Sequence, residues 1–184
     1  MIILITGGAR SGKSNLGENK AKELGKKIVY IATAIAFDEG MKDRILKHRA
    51  SRPSNWATIE KYRDFLELEK EKDFLKSDLV LLDCMTLMVS NILLESGVDF
   101  DNCSMEQVDS LEEKIFKEVK ELLNIVLKYK KKLIIVTNEV GMGLVPSFRL
   151  GNIFRDIAGR VNQYLAKQAD EVYLTVSGIP LKIK

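Results

Sequence analysis

Runs of apolar residues recur along the chain, and longer segments with apolar positions at helical spacing lie between them. The runs hold mainly Val, Ile and Leu without alternating polar positions, as strands covered on both faces require. They predict strands at residues 2–6, 27–32, 79–82, 133–137 and 171–176, and a short last strand at 181–183. The segments between them predict helices at residues 14–24, 39–50, 62–68, 86–94, 105–128 and 152–168.

This alternation predicts an α/β fold with a mostly parallel sheet and helices on both of its faces. The last two strands flank the turn signal Ser177-Gly178-Ile179-Pro180, so the sheet is expected to finish with a C-terminal hairpin. A chain of 184 residues is expected to form a single domain over residues 1–184.

The charge, the apolar segments and the cysteines of the chain limit its possible partners and its cellular compartment. The net charge of +3 is spread along the chain without an aromatic and basic stripe, which argues against a nucleic-acid partner. No apolar stretch approaches the length needed to span a membrane. The two cysteines, Cys84 and Cys103, lack metal-ligand spacing and any reason to pair, so a reducing cytoplasm is expected.

A complete phosphate-binding motif, G-x-x-x-x-G-K-S, follows the first predicted strand and opens the first predicted helix. Its residues are Gly7, Gly8, Ala9, Arg10, Ser11, Gly12, Lys13 and Ser14. Backbone N–H groups of such a loop bind phosphates, and the positive end of the helix dipole strengthens the binding. Lys13 is expected to reach the β- and γ-phosphates, and the Ser14 hydroxyl to ligate Mg²⁺. The motif predicts a nucleoside triphosphate site and a P-loop NTPase-like fold with a RecA-like sheet.

Two other predicted strands end in polar residues. Residues 79–82 are apolar and lead into Asp83, which has the form of a Walker B carboxylate for Mg²⁺. Thr137, Asn138 and Glu139 end another strand, and any of the three could contact the γ-phosphate or position a nucleophile. Ligands of open α/β sheets bind at this carboxyl edge of the strands.

His48 is the single histidine of the chain. On a helix, Arg44, His48 and Arg52 fall on one face at four-residue intervals, which would hold a neutral, nucleophilic imidazole between cations. A solvated histidine on a basic helix surface has the same pattern. The residues alone therefore leave a nucleophile and a surface histidine both open.

Longer blocks of sequence carry a resemblance to a known family. The chain resembles the bifunctional adenosylcobinamide kinase / adenosylcobinamide-phosphate guanylyltransferase of cobalamin biosynthesis over nearly its whole length. Besides the phosphate loop, the matching blocks are Tyr30-Ile31-Ala32-Thr33-Ala34, His48-Arg49-Ala50-Ser51-Arg52-Pro53-Ser54-Asn55-Trp56, Thr137-Asn138-Glu139-Val140-Gly141-Met142-Gly143-Leu144-Val145-Pro146, Arg155-Asp156-Ile157-Ala158-Gly159-Arg160-Val161-Asn162-Gln163 and Val176-Ser177-Gly178-Ile179-Pro180-Leu181-Lys182-Ile183-Lys184.

The resemblance implies two reactions, with adenosylcobinamide, its phosphate, ATP and GTP as substrates. The first phosphorylates the aminopropanol hydroxyl of adenosylcobinamide. The second transfers GMP from GTP to that phosphate through a covalent guanylyl-histidine, releases pyrophosphate and yields adenosylcobinamide-GDP. It also implies Mg²⁺ and a homo-oligomer, specifically a trimer.

The resemblance assigns residues position by position. It implies that His48 is the guanylylated nucleophile and that Lys13 is catalytic in the kinase step, while Ser14 and Asp83 hold Mg²⁺. Further nucleotide contacts are implied for Thr33, Ala34, Ile35, Arg49, Ala50, Ser51, Arg52, Glu60 and Asp83. From the residues alone, Glu60 could equally be a solvated glutamate, and the aromatic rings of Trp56 and Tyr62 are more typical of packing than of ligand contact.

Two other functions share the phosphate loop. A simple small-molecule kinase would move only the γ-phosphate and would not need His48. A RecA-like ATPase or switch module would act on a protein or nucleic acid, and DNA should stimulate its turnover.

Overall fold

The computed structural model describes residues 1–35 and 53–184. Its seven strands form one sheet in the order β3-β2-β4-β5-β1-β6-β7. All neighbouring strands run parallel except β6 and β7, which form an antiparallel hairpin. The strands are β1 Ile2–Gly7, β2 Ile28–Ala32, β3 Ala57–Glu60, β4 Leu79–Asp83, β5 Lys132–Asn138, β6 Glu171–Val176 and β7 Ile179–Lys182.

Five α-helices and one 3₁₀-helix lie within the described ranges. The α-helices are α1 Lys13–Leu24, α2 Lys72–Lys76, α3 Met85–Leu94, α4 Met105–Lys128 and α5 Arg149–Gln168, and the 3₁₀-helix is Phe65–Lys70. Within this part of the chain, none of the helices combines the length and the apolar character that crossing a bilayer requires.

Helices cover both faces of the sheet. On one face, Ile3 and Ile5 of β1 belong to a core cluster that includes Ala21 of α1. The alternate strand residues Ile2 and Leu4 join a larger cluster formed with α3, α4 and α5. Because successive strand residues point to opposite faces, both sets of β1 side chains are buried, as the unbroken apolar pattern predicts. The predicted fold class is confirmed.

Most boundaries agree with the sequence predictions to within one residue, and α4 begins and ends where predicted. The helix predicted at 62–68 is wrong, because Asp64 has a left-handed backbone (φ 55°) and the 3₁₀-helix begins after it. Strand β3 was not predicted, since only Ile59 of its four residues is buried. The helix predicted at 39–50 lies outside the described residues.

The C-terminal hairpin is tighter than predicted. Its turn consists of Ser177 and Gly178 alone, because Val176 already pairs with Ile179. Pro180 was expected in the turn but lies in β7, opposite Thr175. Strand β7 is at the edge of the sheet, where a residue without an N–H group is tolerated.

Candidate active site at the carboxyl edge of the sheet

Five parallel strands end at the same edge of the sheet, which we call the carboxyl edge. The phosphate loop follows β1, residues 33–35 follow β2, Glu60 ends β3, Asp83 ends β4 and Asn138 ends β5. Strand β5 lies between β1 and β4, so it separates the phosphate loop from the strand that carries Asp83. The topology therefore brings the predicted binding residues of this part of the chain to one edge.

The phosphate loop has the backbone of an anion-binding nest. Arg10 and Gly12 have left-handed φ angles of 59° and 90°, and the Ser11 N–H donates to the Gly8 carbonyl at 3.3 Å. Helix α1 starts directly after Gly12, and no side chain caps its first turn. Phosphate is bound by the N–H groups of a helix N-terminus and by those of a nest, in which successive residues alternate between right- and left-handed backbone conformations.

Both glycines of the motif are required by close contacts. A Cβ atom on Gly7 would lie 2.5 Å from the Thr175 carbonyl oxygen. On Gly12 it would lie 3.2 Å from the Gly178 Cα, and the positive φ of Gly12 already disfavours a side chain. The loop is therefore seated against β6 and the turn that follows it.

The ammonium of Lys13 lies across the loop. Its Nζ donates to the Gly8 carbonyl oxygen at 3.0 Å, and the side chain is almost completely buried. Burial raises the pKa of the buried Cys84 thiol, the charge of Asp83 raises this pKa further, and the charge of Lys13 lowers it. Lys13 and Asp83 are therefore both close enough to the thiol for their charges to act on it.

Ser14 supplies a hydroxyl in the first turn of α1 and Asp83 a carboxylate at the end of β4, and both residues are partly buried. Mg²⁺ prefers hard oxygen ligands and is usually held by one or two carboxylates together with substrate phosphates. The donor set thus fits Mg²⁺ bound to a nucleotide. Within the described residues, no group of three or more His, Cys, Asp or Glu side chains is arranged to hold a metal ion.

Hydrogen bonds link the residues that follow β2 to the residue that follows β4 and to helix α3. The Thr33 hydroxyl donates to the Cys84 carbonyl oxygen at 2.7 Å and accepts from the Cys84 N–H at 2.8 Å. The Asn91 side-chain amide donates to the Thr33 carbonyl oxygen at 2.7 Å. The polar groups of Thr33 thus have internal partners, and its role as a nucleotide contact stays a prediction.

The structure distinguishes the three polar residues that end β5. Thr137 is fully buried, and its hydroxyl donates to the Asn162 side chain at 2.8 Å. Glu139 accepts the Gly141 N–H at 2.7 Å and so closes the loop that follows. Asn138, which is half-buried, is held by Thr86 at 2.7 Å and pairs in register with Gly7 of the phosphate loop. The Glu139 N–H also donates to the Gly7 carbonyl oxygen, at 3.0 Å, so Asn138 and Glu139 both adjoin the phosphate loop, and a nucleotide contact by any of the three residues stays a prediction.

The remaining predicted contacts lie farther along the edge. Glu60 is exposed and pairs in register with Ala32, directly before Thr33, Ala34 and Ile35. Strands are spaced about 4.8 Å apart, so β2 and β3 lie about 14 Å and about 19 Å from β1. The structure therefore separates this second group of predicted contacts from the phosphate loop.

Part of the predicted site lies outside the described residues. This applies to His48, Arg49, Ala50, Ser51 and Arg52, whose roles stay predictions. Trp56 and Tyr62 lie within the description and pack against opposite faces of the sheet, and the Tyr62 hydroxyl donates to Glu95. These contacts agree with packing as the role of both aromatic rings.

Sequence reasoning missed the residues that support the site. Thr86, Asn91 and Asn162 join the strand ends through side-chain hydrogen bonds. Thr86 and Asn91 sit on a helix that no motif marks, and Asn162 lies in the matching block of residues 155–163, where the resemblance assigned it no role. A polar side chain on an otherwise apolar helix, such as Thr86 or Asn91 on α3, is the signal that was available.

Comparison with known proteins decides the family. The model of the cobinamide kinase / cobinamide phosphate guanyltransferase family matches residues 3–183. The chain belongs to this family. Its members combine a kinase with a guanylyltransferase, so the chain is a bifunctional transferase of the cobalamin pathway, as the resemblance implied.

Three curated relatives extend over the full chain. The bifunctional adenosylcobalamin biosynthesis proteins CobU of Escherichia coli and Salmonella typhimurium are 45% and 46% identical and cover 100% of both chains. CobP of Pseudomonas aeruginosa, with the same bifunctional name, is 38% identical over 98% of this chain and 96% of its own. The similarity is therefore not confined to the widespread phosphate loop.

Proposed function

We propose that this chain phosphorylates the aminopropanol hydroxyl of adenosylcobinamide with ATP or GTP and then transfers GMP from GTP to the new phosphate. The products of the second step are adenosylcobinamide-GDP and pyrophosphate. The observation that carries this proposal is the phosphate loop at the carboxyl edge of the sheet, with Asp83 at the end of β4 on the same edge, in a chain that matches a bifunctional family over residues 3–183.

In the kinase step, the oxygen of the substrate hydroxyl attacks the γ-phosphorus and loses its proton to water. The bond between the γ-phosphorus and the β–γ bridging oxygen breaks, and the nucleoside diphosphate leaves. The loop N–H groups hold the β- and γ-phosphates, and the ammonium of Lys13 neutralises charge that develops on them. Lys13 already sits at the Gly8 end of the loop, 3.0 Å from its carbonyl oxygen, so a short movement of the side chain brings it to the phosphates. To Asn138, which pairs in register with Gly7, we assign the orientation of the γ-phosphate or of the attacking hydroxyl.

Mg²⁺ is proposed to be held by Ser14 and Asp83, whose oxygen donors fit it. When bound, it would neutralise charge on the nucleotide phosphates and fix their orientation. The role of the chain is to place the hydroxyl of Ser14 at the start of α1 and the carboxylate of Asp83 at the end of β4.

In the guanylyltransferase step, we assign the nucleophile to His48. A nitrogen of its imidazole attacks the α-phosphorus of GTP, and the bond to the pyrophosphate oxygen breaks. A phosphate oxygen of adenosylcobinamide phosphate then attacks the same phosphorus and releases the imidazole. Splitting one displacement into two is the usual advantage of a covalent intermediate. Arg49, Ala50, Ser51 and Arg52 would contact the nucleotide beside His48.

A second nucleotide position is consistent with the spread of the site along the edge. Glu60 and residues 33–35 lie about 14 to 19 Å from the phosphate-loop strand, too far for one triphosphate group to contact both. We assign Thr33, Ala34, Ile35 and Glu60 to the guanosine nucleotide of the second step, with the Glu60 carboxylate accepting guanine N–H groups.

We also propose that the chain forms a homo-oligomer, a trimer, in the cytoplasm. The loop between β5 and α5 exposes Met142, Leu144, Val145 and Phe148, an apolar patch that a second copy would cover. Both cysteines are free and buried, which fits a reducing compartment.

The proposal is tested by following labelled GTP in the presence of Mg²⁺ and adenosylcobinamide. We expect label from the γ-phosphate to enter adenosylcobinamide phosphate first, and label from the α-phosphate to appear later in adenosylcobinamide-GDP. A simple kinase would yield only the first product. A switch ATPase would hydrolyse nucleotide without modifying the corrinoid and would respond to DNA.

A further inference from the structure

The turn of the C-terminal hairpin touches the phosphate loop. Ser177 and Gly178 form a two-residue turn with φ angles of 50° and 83°, both positive as a type I′ turn requires. The Gly178 N–H donates to the Ser11 carbonyl oxygen at 2.9 Å. The last two strands of the sheet are therefore joined directly to the loop that follows the first strand.

Close packing accompanies this hydrogen bond at both ends of the loop. The space that a side chain of Gly7 would need is filled by the Thr175 carbonyl oxygen of β6. The corresponding space at Gly12 is bounded by the Cα atom of Gly178 and, 3.8 Å away, by a methyl group of Thr175. The hairpin thus forms the wall against which the loop is folded.

The hydrogen bond has a consequence for phosphate binding. In a trans peptide the carbonyl oxygen and the following N–H point in opposite directions. Because the Ser11 carbonyl points to the hairpin, the N–H of Gly12 points away from the hairpin. That N–H is one of the donors with which a loop of this type binds phosphate.

We propose that Gly178, at the tip of the hairpin, is a positioning residue for the phosphate loop. It holds the peptide between Ser11 and Gly12 in the orientation that directs the Gly12 N–H toward the nucleotide phosphates. The inference rests on the proposed role of residues 7–14 as the phosphate site. Gly178 itself need not contact the nucleotide.

The test compares three variants for binding of Mg²⁺-GTP and of Mg²⁺-tripolyphosphate by calorimetry. In Gly178→Val a branched side chain opposes the positive φ and should displace the turn, whereas Gly178→Asn tolerates a left-handed backbone. We expect Gly178→Val to bind both ligands about tenfold more weakly, because an oriented hydrogen-bond donor is lost. Gly178→Asn should bind within about twofold to threefold of the wild type.

Gly97→Val is the matched control. Gly97 lies between α3 and α4, has a φ of 71° and, like Gly178, has no heavy atom within 4 Å of an added Cβ. The Gly97→Val variant should lose a similar amount of stability against urea, and its affinity for both ligands should stay that of the wild type. If Gly178→Val does not fold, the peptide N–H of Gly178 can be replaced by an ester oxygen in a semisynthetic chain. This change removes only the hydrogen-bond donor, and it should weaken the binding of both ligands.

The outcomes separate this inference from the assignment of the phosphate site. Unchanged tripolyphosphate binding in Gly178→Val or in the ester would overturn the inference, as would equal weakening in Gly97→Val or no recovery in Gly178→Asn. Weaker binding of GTP with unchanged binding of tripolyphosphate would also overturn the inference, because that pattern indicates that Gly178 contacts the nucleoside. If Lys13→Ala binds tripolyphosphate as the wild type does, the phosphate site itself is wrongly assigned.

Discussion

Lys13 begins helix α1 and Asp83 ends strand β4, 70 positions apart in the sequence, yet the charges of both act on the buried thiol of Cys84. The sequence predicted both residues, because each belongs to a local pattern that ends an apolar strand. It could not predict their partners at the edge, such as Thr86 and Asn91, because these hydrogen bonds depend on which strands become neighbours.

At the residue scale, Lys13→Ala should lower phosphorylation of adenosylcobinamide by about 10²–10³-fold, since the charge that stabilises the transferred phosphoryl group is lost. The measurement is the rate of γ-phosphate transfer. Lys22→Ala, an exposed lysine on the same helix, is the control and should stay within about twofold of the wild type. Equal rates for the two variants would contradict the role of Lys13.

Asp83→Asn should raise the Mg²⁺ concentration needed for half-maximal kinase activity by about tenfold or more, because a neutral amide binds Mg²⁺ more weakly than a carboxylate does. A Mg²⁺ titration of the kinase rate measures this. Asp78→Asn, directly before the other end of β4, changes the same residue type away from the site and should leave the titration unchanged. The assignment fails if the two titrations coincide.

At the scale of elements, Asp78 links the starts of β2 and β4, since its carboxylate accepts the N–H groups of Lys26 and Lys27 at 2.8–3.1 Å. Partial loss of the water around Asp78 raises its pKa, but these backbone hydrogen bonds have the larger combined effect and leave the pKa below its usual value. Its stabilisation is therefore present above the unfolded pKa of about 3.9 and is lost as the pH falls through the lower folded pKa.

Asp78→Asn should accordingly cost about 1 kcal/mol or less at pH 7, because the carboxylate is exposed and screened by solvent. Urea unfolding at pH 7 and at lower pH measures the difference from the wild type, which should shrink once the pH falls below about 4. A difference that stays constant from pH 7 to pH 2 would show that the charge of Asp78 is not involved.

The elements that sequence could and could not predict differ in a physical way. Strands β1, β4 and β5 are buried on both faces and have unbroken apolar runs, so the local sequence pattern alone identifies them. Strand β3 has four residues and lies at the edge, where neither length nor burial leaves a clear pattern. The contact between the hairpin and the phosphate loop joins opposite ends of the chain and has no local signature.

At the scale of the whole molecule, strand order decides which predicted residues meet. The chain passes from β1 outward to β2 and β3 before it returns to β4 and β5, which places Glu60 about 19 Å from the phosphate-loop strand. No spacing along the sequence contains this information. This separation is the observation from which we propose a second nucleotide position.

Oligomerisation should depend on the exposed loop between β5 and α5. Leu144 is 96% exposed and Met142 is 80% exposed, so an apolar surface is available to a second copy. Leu144→Asp should shift the protein toward monomer in sedimentation velocity, because an unpaired charge would be buried in the contact. Met105→Asp, at an exposed methionine on α4, is the control. A wild-type monomer, or an unaltered oligomer in Leu144→Asp, would contradict this role of the loop.

The central claim, that one chain performs a phosphoryl and a guanylyl transfer, is tested most directly by covalent labelling. Wild type and His48→Ala are incubated with Mg²⁺ and GTP labelled at either the α- or the γ-phosphate. We predict an acid-labile, alkali-stable protein label from the α-phosphate alone, absent in His48→Ala although that variant still phosphorylates adenosylcobinamide. Equal α-labelling of the two proteins, or none in an active wild type, would contradict the role of His48 and leave a kinase built on the phosphate loop and Asp83.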